Sequence, residues 1–204
     1  GDIDFIFSKD DYEKAVCFLQ ELGYSKVHKT SYDYPSFKHY PRLQKEGYIA
    51  AVEIHKELLI EKYAKEFNYT FVEKDHQIIN GVRVLSYRNQ LCLSIIAKQI
   101  NDAGLHYKNI SLRNAYDVFL LSKKTTAKTA FNDFIKLKNP LTNFLATCYI
   151  IFNKPTSLLY VASETTEKYL LTFNKQLNDA SFRKKYHKKT ATLLFIKSRA
   201  TIIY

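Results

Sequence analysis

Four side chains carry the chemistry that can be read from this chain: Asp2 and Asp4 near its start, and Glu53 and His55 fifty residues later. Asp2 and Asp4 stand two residues apart in Gly1-Asp2-Ile3-Asp4-Phe5-Ile6-Phe7, a run that reads as a buried strand. On an extended backbone, residues i and i+2 project from one face, so both carboxylates point the same way. Two such anions repel unless a cation lies between them, and a hard divalent ion such as magnesium takes one or two carboxylates at a time. Glu53 lies within the apolar run Tyr48–His55, which has the composition of a central strand. A buried glutamate there is costly unless it is paired or metal-bound. If the two strands are neighbours, three carboxylates meet. Such a triad can hold two magnesium ions, one activating an attacking hydroxyl and the other stabilising a leaving pyrophosphate.

The elements that would position these groups follow from periodicity. Ser8 followed by Asp11 resembles a capping box, and Tyr12, Ala15, Val16, Leu19 and Leu22 recur at helical spacing until Gly23. A strand is expected over Tyr24–Thr30 and a short one around Phe37–Tyr40, between Pro35 and Pro41. Helical spacing returns over Lys56–Phe67, while Phe71–Asp75 is ambiguous. Asn80-Gly81 between Ile78-Ile79 and Val82–Val84 is a hairpin turn. Beyond Ser86 the pattern predicts helices over 88–103 (closed by Gly104), 111–122 (capped by Ser111), 127–137, 141–153, 157–177 and 189–202. The order implies an α+β first domain, residues 1–86, and a helical second domain, residues 87–204.

The chain has 204 residues and a net charge of +11, unevenly placed. Residues 1–90 hold 13 Lys and Arg against 14 Asp and Glu, a net of −1, so the remainder carries +12. A basic surface attracts polyanions such as triphosphates or RNA, and equally serves solubility. The densest stretch, Arg183–Lys189, reads either as a solvated loop or helix end or as a patch that contacts phosphates. No apolar run reaches membrane-spanning length and no signal peptide is visible, which excludes a membrane-spanning class and makes the cytoplasm the default. Cys17, Cys92 and Cys148 have neither zinc nor redox spacing and read as buried free thiols.

Taken together, Gly1-Asp2-Ile3-Asp4, the helix ending Leu22-Gly23-Tyr24, and Val52-Glu53-Ile54-His55 resemble a bacterial family of nucleotidyltransferase-like proteins in the DNA polymerase beta-type superfamily. The similarity continues through Gly81–Ser86 and Leu112-Arg113-Asn114-Ala115-Tyr116-Asp117, covering roughly residues 1–122. The resemblance implies a mixed sheet with flanking helices followed by an α-helical domain. It implies transfer of an NMP from an NTP to a hydroxyl of an unknown acceptor, with two Mg2+ ions. Asp2, Asp4 and Glu53 would be metal ligands, Glu53 alternatively the base on the incoming hydroxyl. His55 would orient that group or touch phosphate. Arg113 and Asp117, four apart on one helix face, would either contact nucleotide as the cleft closes or form a surface ion pair. Relatives carry a Gly-Ser turn just before the aspartate pair. This sequence opens at Gly1, so the N-terminal part of the domain is expected to lie upstream. The alternatives are a catalytically inactive nucleotide- or nucleic-acid-binding module of the same fold, and a helical nucleic-acid-binding protein with an incidental acidic pair.

Overall fold

A computed structural model describes residues 2–27, 38–59 and 61–200. Its contacts divide the chain into two compact units, residues 1–86 and 87–204. The fold is α+β, with a small mixed sheet in the first unit and helices throughout the second.

In the first unit, β1 (Asp2–Ile6) leads into α1 (Lys9–Glu21). The Ser8 hydroxyl oxygen accepts from the Asp11 backbone N–H at 3.1 Å, which caps α1, and the hydroxyl donates to the Asp11 carboxylate, a side-chain contact in place of the second bond of a full capping box. β2 (Ser25–Lys26), β3 (Leu43–Gln44) and β4 (Ala51–His55) complete a sheet ordered β1-β4-β3-β2. β1 runs parallel to β4, whereas β3 is antiparallel to both β4 and β2. Val52 and Ile54 point to the α1 side, where with Leu43, Tyr12 and Val16 they form a buried cluster. Alternation then sends Glu53 and His55 to the other face.

Several local expectations change. β1 is not buried: among the described residues it pairs with β4 alone, and Ile3 and Phe5 remain 48% and 41% exposed. The strand expected from Tyr48 starts at Ala51, with Ile49 fully in solvent. β2 is two residues long, and the expected strand residues 28–30 and Phe37 lie outside the described residues. Of the helix expected over Lys56–Phe67, the described residues form α2 (Glu61–Ala64), and the ambiguous stretch from Phe71 falls largely in α3 (Tyr69–Glu73), capped by the Asn68 side chain. β5 (His76–Ile79) and β6 (Val82–Leu85) form the expected hairpin, with Asn80 and Gly81 both at positive φ, as a primed turn requires.

In the second unit, α4 (Tyr87–Ile96) runs into a π-helical turn, Ala97–Asn101, rather than continuing to residue 103. Gly104 opens α5 (Gly104–Tyr107) instead of closing a helix, because the chain folds back on itself there. A Cβ at Gly104 would stand 2.6 Å from the Lys98 carbonyl oxygen. α6 (Leu112–Ser122) is capped by Ser111. The helix expected over 127–137 is a 3-10 turn, Ala127–Thr129, followed by further turns. Ala127, Ala130, Phe131, Phe134 and Leu137 are still buried, so successive turns satisfy the same apolar spacing. Arg88 donates twice to the Ala130 carbonyl, giving that oxygen a partner outside its own turn. α7 (Lys138–Ile151) packs against α4 and α6. α8 (Glu164–Asn178) starts late because Ser163 caps it, and it packs on α7 and on α9 (Ala180–Ala200). The Asp179 side chain accepts from the Phe182 N–H, starting α9 early, so Arg183–Lys189 lies within a helix rather than in a loop. Cys92 and Cys148 are buried as expected, whereas Cys17 is exposed on α1. No helix among the described residues is long and apolar enough to cross a membrane.

Candidate metal centre

The site lies on the face of the sheet opposite α1. Parallel pairing puts Asp4 directly across from Glu53, and Ile6 across from His55. His55 Nε2 lies 3.0 Å from Asp4 Oδ1 and 3.6 Å from Glu53 Oε2. One donor atom from each of Asp4, Glu53 and His55 lies within 4.8 Å of the others, the spacing that lets one ion be shared. Among the described residues this is the one such group of acidic, histidine or cysteine donors. The Glu53 and His55 side chains are nearly buried, while that of Asp4 is 62% exposed, so the group opens toward solvent on the β1 side.

Two residues that periodicity does not reveal complete the site: Arg42 and His39. Arg42 precedes β3 and donates from Nε (3.0 Å) and Nη2 (2.9 Å) to Glu53 Oε1. The same Nη2 donates across β4 to Asp2 Oδ2. A guanidinium thus stands between Asp2 and Glu53, and Asp2 lies outside the three-donor group. His39 bridges His55 in the antiparallel sense, and their rings are 4.9 Å apart.

A β-bulge puts both residues on this face. His39 pairs with His55 and Leu43 with Val52, so Tyr40, Pro41 and Arg42 stand opposite only Ile54 and Glu53. Strict alternation would place His39 and Leu43 on one face. The extra residue changes the parity: Tyr40 and Leu43 pack into the core, and His39 and Arg42 face the acids. Proline, with no N–H to donate, is tolerated at such a position.

The electrostatics follow from these contacts. The hydrogen bond with His55 holds the Asp4 carboxyl below its ordinary range, aided by the charges of His55, His39 and Lys38 and opposed by partial burial. Burial pushes the His39 ring below the usual imidazole range, although its Nδ1 bonds the Tyr40 carbonyl at 2.8 Å. His55 Nδ1 is buried with no hydrogen-bond partner. Two carboxylate oxygens converging with an imidazole nitrogen form a donor set that suits a divalent cation.

The structure brings Asp4, Glu53 and His55 together, with Asp2 linked to them through Arg42. Arg113 and Asp117 sit one turn apart on α6 in the second unit, with no ion pair between them. The first is exposed and the second partly buried.

Residues 1–153 match a protein-family model described as "Uncharacterised nucleotidyltransferase". No curated protein and no solved structure matches the chain.

Proposed function

The chain belongs to this nucleotidyltransferase family, and from that premise we propose a metal-dependent enzyme of the DNA polymerase beta-type superfamily that moves an NMP from an NTP to an acceptor hydroxyl. The observation that carries the reading is the in-register pairing of Asp4 with Glu53 on parallel strands, with His55 against both.

Asp4, Glu53 and His55 would hold the ion. A bound divalent cation such as Mg2+ supplies charge neutralisation at the reacting phosphate. The protein's own contribution is orientation. Arg42 occupies Glu53 Oε1, which leaves Oε2 as the oxygen turned toward His55 and the open side. In the transfer, the acceptor oxygen bonds to the α-phosphorus of the NTP, the bond to pyrophosphate breaks, and the hydroxyl proton passes to water. Before the ion binds, the His55 Nε2 hydrogen bond to Asp4 holds in place a carboxylate carried by the neighbouring strand. Arg113 and Asp117 are candidate nucleotide contacts, and a raised KM for NTP in Arg113→Ala or Asp117→Ala would support that role.

Incubation of the protein with each labelled NTP, Mg2+ and either total RNA or cell lysate tests the reading and samples RNA and other acceptors together. Label transfer that disappears in Asp4→Asn supports it, and no transfer, or equal transfer by the variant, sinks it. The alternative of an inactive binding module predicts Mg2+-dependent nucleotide binding by calorimetry without any transfer.

A further inference from the structure

We infer that the site is built for one divalent cation, with the Arg42 guanidinium standing where a second ion would otherwise neutralise Asp2 and Glu53. The inference rests on the metal-dependent reading above and departs from the two-ion arrangement implied by the sequence resemblance.

The first argument is occupancy. Arg42 makes three charge-assisted contacts to the acids, two to Glu53 Oε1 and one to Asp2 Oδ2. The guanidinium holds one oxygen of each acid, so an ion shared by Asp2 and Glu53 is left with Asp2 Oδ1 and with Glu53 Oε2, which already faces His55 on the other side. The opposite side of the site differs, because Asp4, Glu53 Oε2 and His55 converge there without Arg42 among them.

Charge gives the second argument. The three carboxylates Asp2, Asp4 and Glu53 bring three negative charges, and Arg42 cancels one. Before nucleotide binds, and with the nearby Lys38 charge also counted, one divalent ion already more than balances the remainder, and a second would add two further positive charges at the centre. Guanidinium stays protonated at any working pH, so this cation cannot be titrated away.

Backbone geometry supplies the third. Arg42 faces the acids because its neighbour Leu43, paired with Val52, anchors the strand in the core, and the bulge over Tyr40–Arg42 brings His39 to the same side. Its backbone also accepts from Val27 N–H at 2.9 Å, which ties the segment to β2. The guanidinium is therefore held from both ends: by the sheet at its base and by two carboxylates at its tip. An arginine fork on two acids is a structural cation.

The test is the number of ions bound, which does not depend on turnover. Mn2+ titration of the whole protein, read by calorimetry and by the electron paramagnetic resonance signal of free Mn2+, should give one ion per chain. Arg42→Gln, which removes the charge, should bind a second ion or hold the first at least about tenfold more tightly. Arg42→Lys, which keeps the charge, should still bind one. Asp2→Asn should bind one ion with affinity within about threefold of wild type, whereas Asp4→Asn should lose at least about tenfold. Thermal melts check that each variant is folded. If Arg42→Gln does not fold, Arg42→Lys and Asp2→Asn still decide the matter. Two ions of comparable affinity in the wild type overturn the inference and leave the metal-dependent reading standing. So does an Arg42→Gln protein that binds like wild type, or a loss above tenfold in Asp2→Asn. Absence of saturable Mn2+ binding in every form overturns both.

Discussion

Asp4 and Glu53 stand directly opposite each other on adjacent parallel strands, separated by fifty residues of chain and joined through His55. Strand pairing fixes their Cα positions opposite each other, so the two acids stay neighbours whatever rotamers they adopt. If the pair serves the proposed transfer, Asp4→Asn and Glu53→Gln should each lower label transfer by at least about a hundredfold while the protein stays folded. Rates measured beside circular dichroism melts decide this. A variant that keeps more than a tenth of the wild-type rate would count against the assignment.

How much of this was legible beforehand depends on the range of the interaction. Ser8 and Ser111 as caps, and Asn80-Gly81 as a turn, act over three or four residues and were readable from local chemistry. The convergence of Asp4, Glu53 and His55 was readable because strand faces alternate and both segments carry the pattern. Arg42 and His39 were not. Pro41 separates them from regular alternation, and their common face depends on a bulge whose existence depends on pairing with β4. The helix expected over 127–137 fails for a related reason: turns bury the same apolar side chains, and Arg88 serves the Ala130 carbonyl.

Tyr169 offers a test of the second unit's interior. Burial pushes its phenol up to about 12, and it contacts Gln99 while Lys108 lies 4.7 Å above its ring. A folded-state value above the unfolded value of 10.0 means that the stabilising contribution is complete below pH 10 and is lost as pH rises toward 12. Urea unfolding at about pH 9 and about pH 11 should show a steeper loss for wild type than for Tyr169→Phe, which has no phenol to ionise. Parallel losses in the two proteins would contradict it.

The three cysteines should separate cleanly by reactivity. Cys17 is exposed, whereas Cys92 and Cys148 are buried and burial pushes the Cys148 thiol far above its ordinary range. A disulfide reagent should therefore label one thiol per folded chain quickly and all three in denaturant. Cys17→Ser should abolish the fast phase, and its persistence would show that a buried thiol is reachable.

Gly104→Ala should destabilise the protein by about 1–3 kcal/mol, because the new methyl carbon would meet a backbone oxygen rather than a side chain that could swing aside. Chemical denaturation measures this directly. Since Gly104 follows Ala103, itself at a φ of 56°, there is little slack on either side of the clash. A change below about 0.5 kcal/mol would mean that the turn relaxes freely.

The bulge opposite Glu53 also makes the segment sensitive to length in an unusual way. Removing Pro41 alone would turn a two-against-three pairing into an even ladder and leave His39 and Arg42, like Tyr40 and Leu43, on their present sides. The irregularity is thus dispensable in principle, while the odd-and-even order of the residues around it is not. Swapping Arg42 and Leu43 in sequence, a change that leaves composition, charge and hydrophobicity untouched, would set an aliphatic chain among carboxylates and a guanidinium in the core. In this stretch the order of two letters matters more than their identity.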